Sequence, residues 1–267
     1  MALESGLLTQ LLQMYMSVFS VAIGNITIDA MEMLQLLTFF VIFFYGVGAF
    51  QGYVDLYDGI FKIIKIGGMI WVVSDYQSLV NTLLQGFDYL GSRAGGGAIV
   101  VDMNDPSAIA EQGIVIVKPL FEDINYSFSS IINLPGIMLS VWSALWIMLS
   151  FYLIGLRMLI AYITFYTTAT LGLFFLVFAV LSFTRPVAEN VIGMLLREGF
   201  KFMVLSFLVS IMQTMVKTWN LPDQPSIEQL SLLWLGTISM AFIVWYIPGA
   251  LGNIFSGGSI SLTRDKK

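Results

Sequence analysis

The stretch Gly136-Ile-Met-Leu-Ser-Val-Trp-Ser-Ala-Leu-Trp-Ile-Met-Leu-Ser-Phe-Tyr-Leu-Ile-Gly155 contains no charged residue, and residues Met158 to Phe183 form a second uncharged run. Only Leu156 and Arg157 separate the two runs. Each run reaches the ~20 apolar residues that a helix needs to cross ~30 Å of hydrocarbon. The pattern therefore predicts a helical hairpin of two membrane crossings. Arg157 is then either a turn residue at the interface or a functional charge at membrane depth.

The composition of the whole chain agrees with a membrane protein. Of its 267 residues, 58% are hydrophobic and 11% are charged, whereas soluble domains carry roughly 25% charged residues. The apolar runs lack the alternation of a transmembrane β-barrel. We therefore predict an all-α fold, a polytopic transmembrane helical bundle.

The absence of two residue types limits the chemistry. The chain has no cysteine and no histidine, which excludes thiolate nucleophiles, imidazole bases and the usual zinc or haem ligands. We predict that the chain is not an enzyme, and no cofactor or metal site is predicted. The net charge of −5 argues against a broad basic surface for nucleic acid.

Three further apolar segments raise the predicted number of crossings to about five. They are Met33 to Phe50, Phe202 to Met215 and Leu230 to Ile247. Ser5 to Ile23 alternates apolar and polar residues at helical spacing, so we predict an amphipathic helix there that lies on the membrane surface or packs on a partner instead of crossing. A break at Asn25 to Asp29 separates it from the first span.

The remaining segments predict interfacial helices and loops. Charged residues interrupt the region 51–93, which is typical of amphipathic helices packed on a surface or a partner. Asp105 is a good N-cap with Pro106 at the first helical position, for a helix ending near Ser130. Thr184 to Asn190 predicts a turn. The predicted division is 1–32 (amphipathic region), 33–134 (first span, interfacial helices and glycine joint) and 135–267 (membrane core and basic tail).

The distribution of Lys and Arg leaves two orientations open. Five spans with the N-terminus outside and the tail inside leave only Arg157 and Lys217 on the outer side, which the positive-inside rule favours over six spans with the N-terminus inside.

Two groups of residues are candidates for function. Arg185, Arg197 and Lys201 follow the predicted hairpin and either line or gate an anionic path or serve as ordinary topological anchors. The glycines Gly95, Gly96 and Gly97 predict a hinge or a tight turn, since no phosphate-loop Lys-Ser/Thr follows them.

Several passages, in the order in which they follow one another along the chain, resemble the TrbL family of conjugation proteins, which are counterparts of the sixth VirB protein. The passages are Tyr76-Gln-Ser-Leu79, Phe87-Asp-Tyr-Leu90, Asp105-Pro-Ser-Ala-Ile-Ala-Glu-Gln-Gly113, Phe183-Thr-Arg-Pro-Val-Ala-Glu-Asn-Val-Ile-Gly-Met194 and Gly199-Phe-Lys-Phe-Met-Val-Leu205. The resemblance runs from about Gln35 to Met215.

The resemblance implies a multi-pass subunit of the bacterial inner membrane, within a type IV secretion system that moves DNA and protein and supports pilus assembly. It implies pilus components, inner-membrane channel proteins and the assembly ATPase as partners, with single-stranded DNA as a transient substrate. It places residues 91–130 outside the cytoplasm, against the charge count.

Two other functions stay open, a small-molecule or ion transporter and an assembly scaffold without a pore. Because five short spans have too few polar faces to enclose a path for DNA, we also expect a homo-oligomer.

Overall fold

The computed structural model describes residues 6–52, 56–96, 103–127, 134–219 and 226–254. Within these ranges the chain is mostly helical and contains no strand. The elements are α1 (Leu7–Phe50), α2 (Leu56–Ser74), α3 (Tyr76–Ala94), α4 (Pro106–Ser127), α5 (Leu134–Leu176), a 3-10 turn (Val177–Val180), α6 (Arg185–Lys217) and α7 (Ile227–Ile254).

Four described helices are long and apolar enough to cross a membrane. They are Leu7–Phe50, Ile137–Val180, Arg185–Lys217 and Glu228–Gly252. The predicted all-α membrane bundle is confirmed. The prediction of about five crossings is one more than these four helices, because it took the two apolar runs that lie largely in α5 as two separate crossings.

The predicted hairpin is wrong, because α5 is one continuous helix of 43 residues. At 1.5 Å per residue it is about 65 Å long, roughly twice the thickness of the hydrocarbon layer. Gly155 is a packing glycine: a Cβ there would lie 2.6 Å from the carbonyl oxygen of Pro106. Leu156 and Arg157 are both good helix formers, so nothing local ends the helix, and Arg157 is an interior helical residue instead of a turn.

The predicted break at Asn25 to Asp29 is also wrong. Helix α1 runs without interruption over 44 residues, so Ser5 to Ile23 is not a separate surface helix, and the predicted boundary at residue 32 falls inside α1. The hydroxyl of Thr27 donates a 2.7 Å hydrogen bond to the carbonyl of Ile23, which satisfies this polar group within the helix.

The predicted start of α4 agrees with the structure, whereas the predicted start of α6 does not. Helix α4 begins at Pro106, and the Asp105 carboxylate accepts a 3.1 Å hydrogen bond from the amide of Ala108, so the predicted cap is confirmed. The turn predicted at Thr184 to Asn190 lies earlier, because α6 already begins at Arg185. The hydroxyl of Thr184 closes this turn by donating to the carbonyl of Phe178 at 2.7 Å.

The helices form two compact units. Unit 1 comprises the described residues within 1–14, 87–163 and 201–251. Its core contains Phe151, Met158 and Phe202, which are at most 1% exposed. Within unit 1, α4 and α5 run antiparallel: Gly113 lies against Phe151, and Pro106 lies against Gly155.

Unit 2 comprises the described residues within 15–86, 164–200 and 252–267. In this unit Tyr76 donates a 2.7 Å hydrogen bond to the carbonyl of Ala169, and Tyr166 donates to Asn81 at 2.8 Å. These two bonds hold α3 antiparallel to α5. The side chain of Val191 on α6 packs against Gly172 on α5, where an added Cβ would lie 2.7 Å from Val191 Cγ1. Helices α5 and α6 therefore approach closely at this point.

Candidate functional site

Unit 1 holds its helices together by side-chain hydrogen bonds between residues distant in sequence. The first set joins the start of α1 to the start of α4. The amide of Thr9 donates to Ser107 Oγ at 2.9 Å, and the amide of Ser107 donates to Thr9 Oγ1 at 3.2 Å. The Thr9 hydroxyl in turn donates to the Asp105 carboxylate at 2.5 Å. Two helix N-termini thus satisfy part of each other's free amide groups.

Three further contacts connect α3, α4, α5 and α6 within unit 1. Tyr162 donates to Asn104 Oδ1 at 2.9 Å, and its ring meets that of Phe202 edge-on with centroids 4.8 Å apart. Gln112 Nε2 donates to Gln213 Oε1 at 2.9 Å.

The third contact joins Ser206 on α6 to Asp88 on α3. We refer to these four sets as the polar contacts of unit 1. In a lipid environment such bonds hold helices together because no water replaces them.

Helices α3 and α6 approach closely through small residues. A Cβ at Gly91 would collide with the carbonyl oxygen of Met203, and one at Gly95 would lie 2.5 Å from the Cβ of Ser210. The spacing Gly91-xxx-Gly95 on α3 thus meets Ser206-xxx-Ser210 on α6. Such stripes of small residues allow helix backbones to approach each other in membranes.

The three predicted hinge glycines lie in different surroundings. Gly95 packs against α6 as described, whereas Gly96 ends the segment with a φ of +115° and open space around it. Gly97 lies outside the described residues. Only Gly96 among the described two has a backbone conformation that requires glycine, and the hinge itself stays a prediction.

Arg157 lies half-buried in the middle of α5, in unit 1. Its guanidinium carbon is 5.7 Å from the centre of the Trp245 ring on α7, close enough for a cation–π interaction. Trp245 and Tyr246 are exposed near the end of the apolar part of α7. Because exposed Trp and Tyr favour the level of the lipid headgroups, we expect this part of α5 to lie near a membrane interface.

The three other candidate cations all lie on α6. Arg185 and Arg197 belong to unit 2, and Lys201 belongs to unit 1. Arg185 forms an ion pair with Glu189 at 2.9 Å. Arg197 and Lys201 are half-buried. The Nε atom of Arg197 is enclosed and finds no hydrogen-bond acceptor among the described residues, an arrangement that costs about 1 to 3 kcal/mol.

Unit 2 carries an open groove of about 530 Å³ that is polar along its length. It is lined by Ser74, Asp75, Gln77, Ser78, Asn81, Thr82 and Gln85. The only charged group among these residues is the Asp75 carboxylate. The groove therefore offers hydrogen bonds but no cation for a phosphate.

Sequence reasoning missed the polar contacts of unit 1. Asp88 and Gln112 were read only as parts of longer passages, and Thr9 only as one of the polar residues of a surface helix. One available signal was the recurrence of polar residues inside otherwise apolar helices. Another was the Gly-xxx-Gly spacing at Gly91 and Gly95.

Four apolar helices and internal helix-to-helix hydrogen bonds define a multi-pass α-helical membrane protein. Within that class, the family model of the TrbL/VirB6 plasmid conjugal transfer protein matches residues 40–247. The chain belongs to this family, and it is a component of a conjugal transfer (type IV secretion) system. Members of this family are structural components of conjugal transfer systems, and they associate with the other components of those systems. A comparison with curated proteins found no match.

Proposed function

We propose that this chain is an inner-membrane subunit of a type IV secretion machine, which helps to translocate DNA and attached protein and supports pilus assembly. The match to the conjugal transfer family over residues 40–247 carries the proposal. The proposed partners are pilus components, inner-membrane channel proteins, the assembly ATPase and further copies of the same chain.

Within this function we assign Arg197 the role of a gating residue. Its Nε is enclosed without an acceptor among the described residues, so the described conformation leaves a polar group unsatisfied. A conformation that brings a phosphate or a carboxylate within hydrogen-bond distance of Nε would satisfy this group. Arg157 and Lys201, which are half-buried cations, are proposed to line the path, where a lowered dielectric strengthens their attraction for phosphate.

Arg185 is proposed to contribute less than the other cations. Glu189 lies 2.9 Å from it, and both side chains are about one-third exposed. The ion pair cancels most of the field that a phosphate would meet. We therefore expect plasmid transfer to fall less in a variant of Arg185 alone than in a variant of Arg197 or Lys201 alone.

The function is tested in a donor strain whose own copy of the gene is deleted and replaced by variants. Plasmid transfer, protein abundance and surface pili are measured for Arg197→Gln, Lys201→Gln and Arg185→Gln, and for the triple variant. Lys118→Gln and Lys217→Gln are the matched controls, since both lysines are exposed. We expect transfer to fall by tenfold or more for Arg197→Gln and the triple variant, at normal abundance, and to be nearly unchanged in the controls.

Contact with the substrate is tested separately. Formaldehyde cross-linking during transfer, followed by immunoprecipitation of the chain, should recover plasmid DNA. Recovery should fall in the triple variant. Normal transfer by the triple variant at normal abundance, with no DNA recovered from any form of the chain, would leave the chain as an assembly scaffold.

The oligomeric state is tested by the mass of the complex extracted in mild detergent. We expect several copies of this chain together with other secretion subunits. A single copy in an otherwise intact complex contradicts the proposed homo-oligomer. A lone stable monomer in every extract favours the transporter alternative.

A further inference from the structure

Helix α2 carries all the lysine and arginine residues of the first 92 positions of the chain. Lys62 and Lys65 are the only lysine or arginine residues before Arg93. Both are exposed. They are three residues apart, so their side chains lie on neighbouring positions of one helix face. Residues 1–92 therefore present their positive side chains at one place, on α2.

The surroundings of the two lysines are apolar and equally exposed. Ile60, Phe61, Ile63, Ile64 and Trp71 on α2 are 53%, 63%, 67%, 62% and 57% exposed. Ile66 and Val73 instead are buried in unit 2. At 100° per residue, Lys62 and Lys65 lie at the side of α2, between its buried stripe and its broad exposed apolar face.

The position of Lys62 is fixed by α1. Its Nζ lies 4.6 Å from the centre of the Tyr45 ring, and the hydroxyl of Tyr45 covers Gly59, where an added Cβ would lie 2.6 Å from it. A tyrosine and a lysine at one level beside exposed apolar side chains are typical of the membrane interface. The nearby part of α1 is exposed and apolar as well, including Phe43 and Phe44.

We propose that α2 is a binding surface for anionic lipid headgroups, with Lys62 and Lys65 contacting the phosphates and the exposed apolar face of α2 contacting the acyl chains. Charge complementarity selects this occupant: two cations bordered by apolar surface fit a headgroup with its chains, whereas a soluble anion would use only the cations. Asp58, one turn before Lys62, is exposed at the start of α2, where the helix dipole favours a negative charge.

Trp71 provides a reporter on the same helix. It lies six residues beyond Lys65, about 9 Å further along the axis, on the exposed apolar face that the proposal places against the acyl chains. The purified chain, with its five other tryptophans replaced by phenylalanine, is placed in phosphatidylcholine vesicles that contain a small fraction of lipid with brominated acyl chains. The brominated lipid is either phosphatidylglycerol or phosphatidylcholine, and quenching of Trp71 fluorescence is compared.

We expect brominated phosphatidylglycerol to reach Trp71 with about fivefold preference for each lysine, and the preference to fall as salt is raised. It should disappear in Lys62→Gln/Lys65→Gln. It should persist in Lys118→Gln/Lys217→Gln, which removes the same charge from other exposed sites. Competition by inorganic phosphate at the same ionic strength as a chloride control would overturn the proposal in favour of a soluble-anion site.

A second measurement does not depend on the tryptophan replacements. The chain with all six tryptophans is extracted from membranes, and native mass spectrometry counts the phosphatidylglycerol molecules that it retains. Fewer retained molecules in the Lys62→Gln/Lys65→Gln variant than in the control support the proposal. Equal retention, or equal quenching of Trp71 by the two brominated lipids in the parent chain, contradicts it.

Discussion

The hydroxyl of Ser206 on α6 donates a 2.7 Å hydrogen bond to the carboxylate of Asp88 on α3. Ser206 is 0% exposed, and its helix neighbours meet the glycines of α3. A hydrogen bond to a carboxylate is shorter and stronger than one between neutral groups. This pair therefore fixes the register in which the end of α3 packs on α6 in unit 1.

Ser206→Ala is predicted to destabilise the protein by about 1 to 3 kcal/mol, because it leaves part of the Asp88 carboxylate without its donor. Thermal unfolding in detergent measures the loss. Asp88→Asn and the double variant complete a double-mutant cycle. If the cycle gives no coupling energy, the bond contributes nothing to stability and this reading of the pair is wrong.

Gly91→Ala is predicted to lower the unfolding temperature, because its Cβ collides with the backbone carbonyl of Met203 and forced overpacking costs about 1 to 3 kcal/mol. Gly86→Ala on the same helix is the matched control, since no atom lies within 4 Å of its added Cβ. That control should gain up to about 1 kcal/mol from helix propensity. A shift of both variants in the same direction would argue against the α3–α6 packing described here.

The continuity of α5 is open to a direct distance measurement. The chain has no cysteine, so Leu149→Cys/Ile163→Cys can be spin-labelled without background. In one helix these positions are about 21 Å apart along the axis. In a hairpin that turns at Leu156 and Arg157 they would face each other at about 10 Å. Pulsed electron resonance in nanodiscs separates the two values, and a single short distance would restore the hairpin.

Tyr76→Phe is predicted to destabilise unit 2 by about 1 kcal/mol, because the carbonyl of Ala169 loses its 2.7 Å donor. The exposed Tyr57 supplies a control, Tyr57→Phe, that should be neutral. Thermal unfolding at neutral pH compares the two variants. Equal unfolding temperatures for both would show that the Tyr76 bond is not stabilising.

Burial also raises the pKa of Tyr76 above its ordinary value of 10.0. The unfolded chain therefore loses this proton at lower pH than the folded chain does. The contribution to stability is fully present below about pH 10 and is lost as the pH rises further, through the folded-state pKa. The parent chain should lose stability over this range more steeply than Tyr76→Phe, which has no proton to release at this position.

Some features of this protein followed from local sequence. The absence of charge over some twenty successive residues determines that a segment can lie in hydrocarbon, so the apolar segments later found in α1, α5, α6 and α7 were all identified. The start of α4 was also predictable, because Asp105 and Pro106 act on amides within their own first turn. The passages that resemble the conjugal transfer family lie within the range that the family model matches.

Other features were decided only by tertiary structure. The good helix formers Leu156 and Arg157 permit α5 to continue but do not require it, and the close packing of Gly155 on the carbonyl of Pro106 is a contact that a turn at this point would lose. The four polar contacts of unit 1 join residues separated by 98, 58, 101 and 118 positions. Each such side chain looks like an isolated polar residue in an apolar run. Its partner is fixed only when helices distant in sequence pack side by side, because a hydrogen bond needs its two groups within about 3 Å.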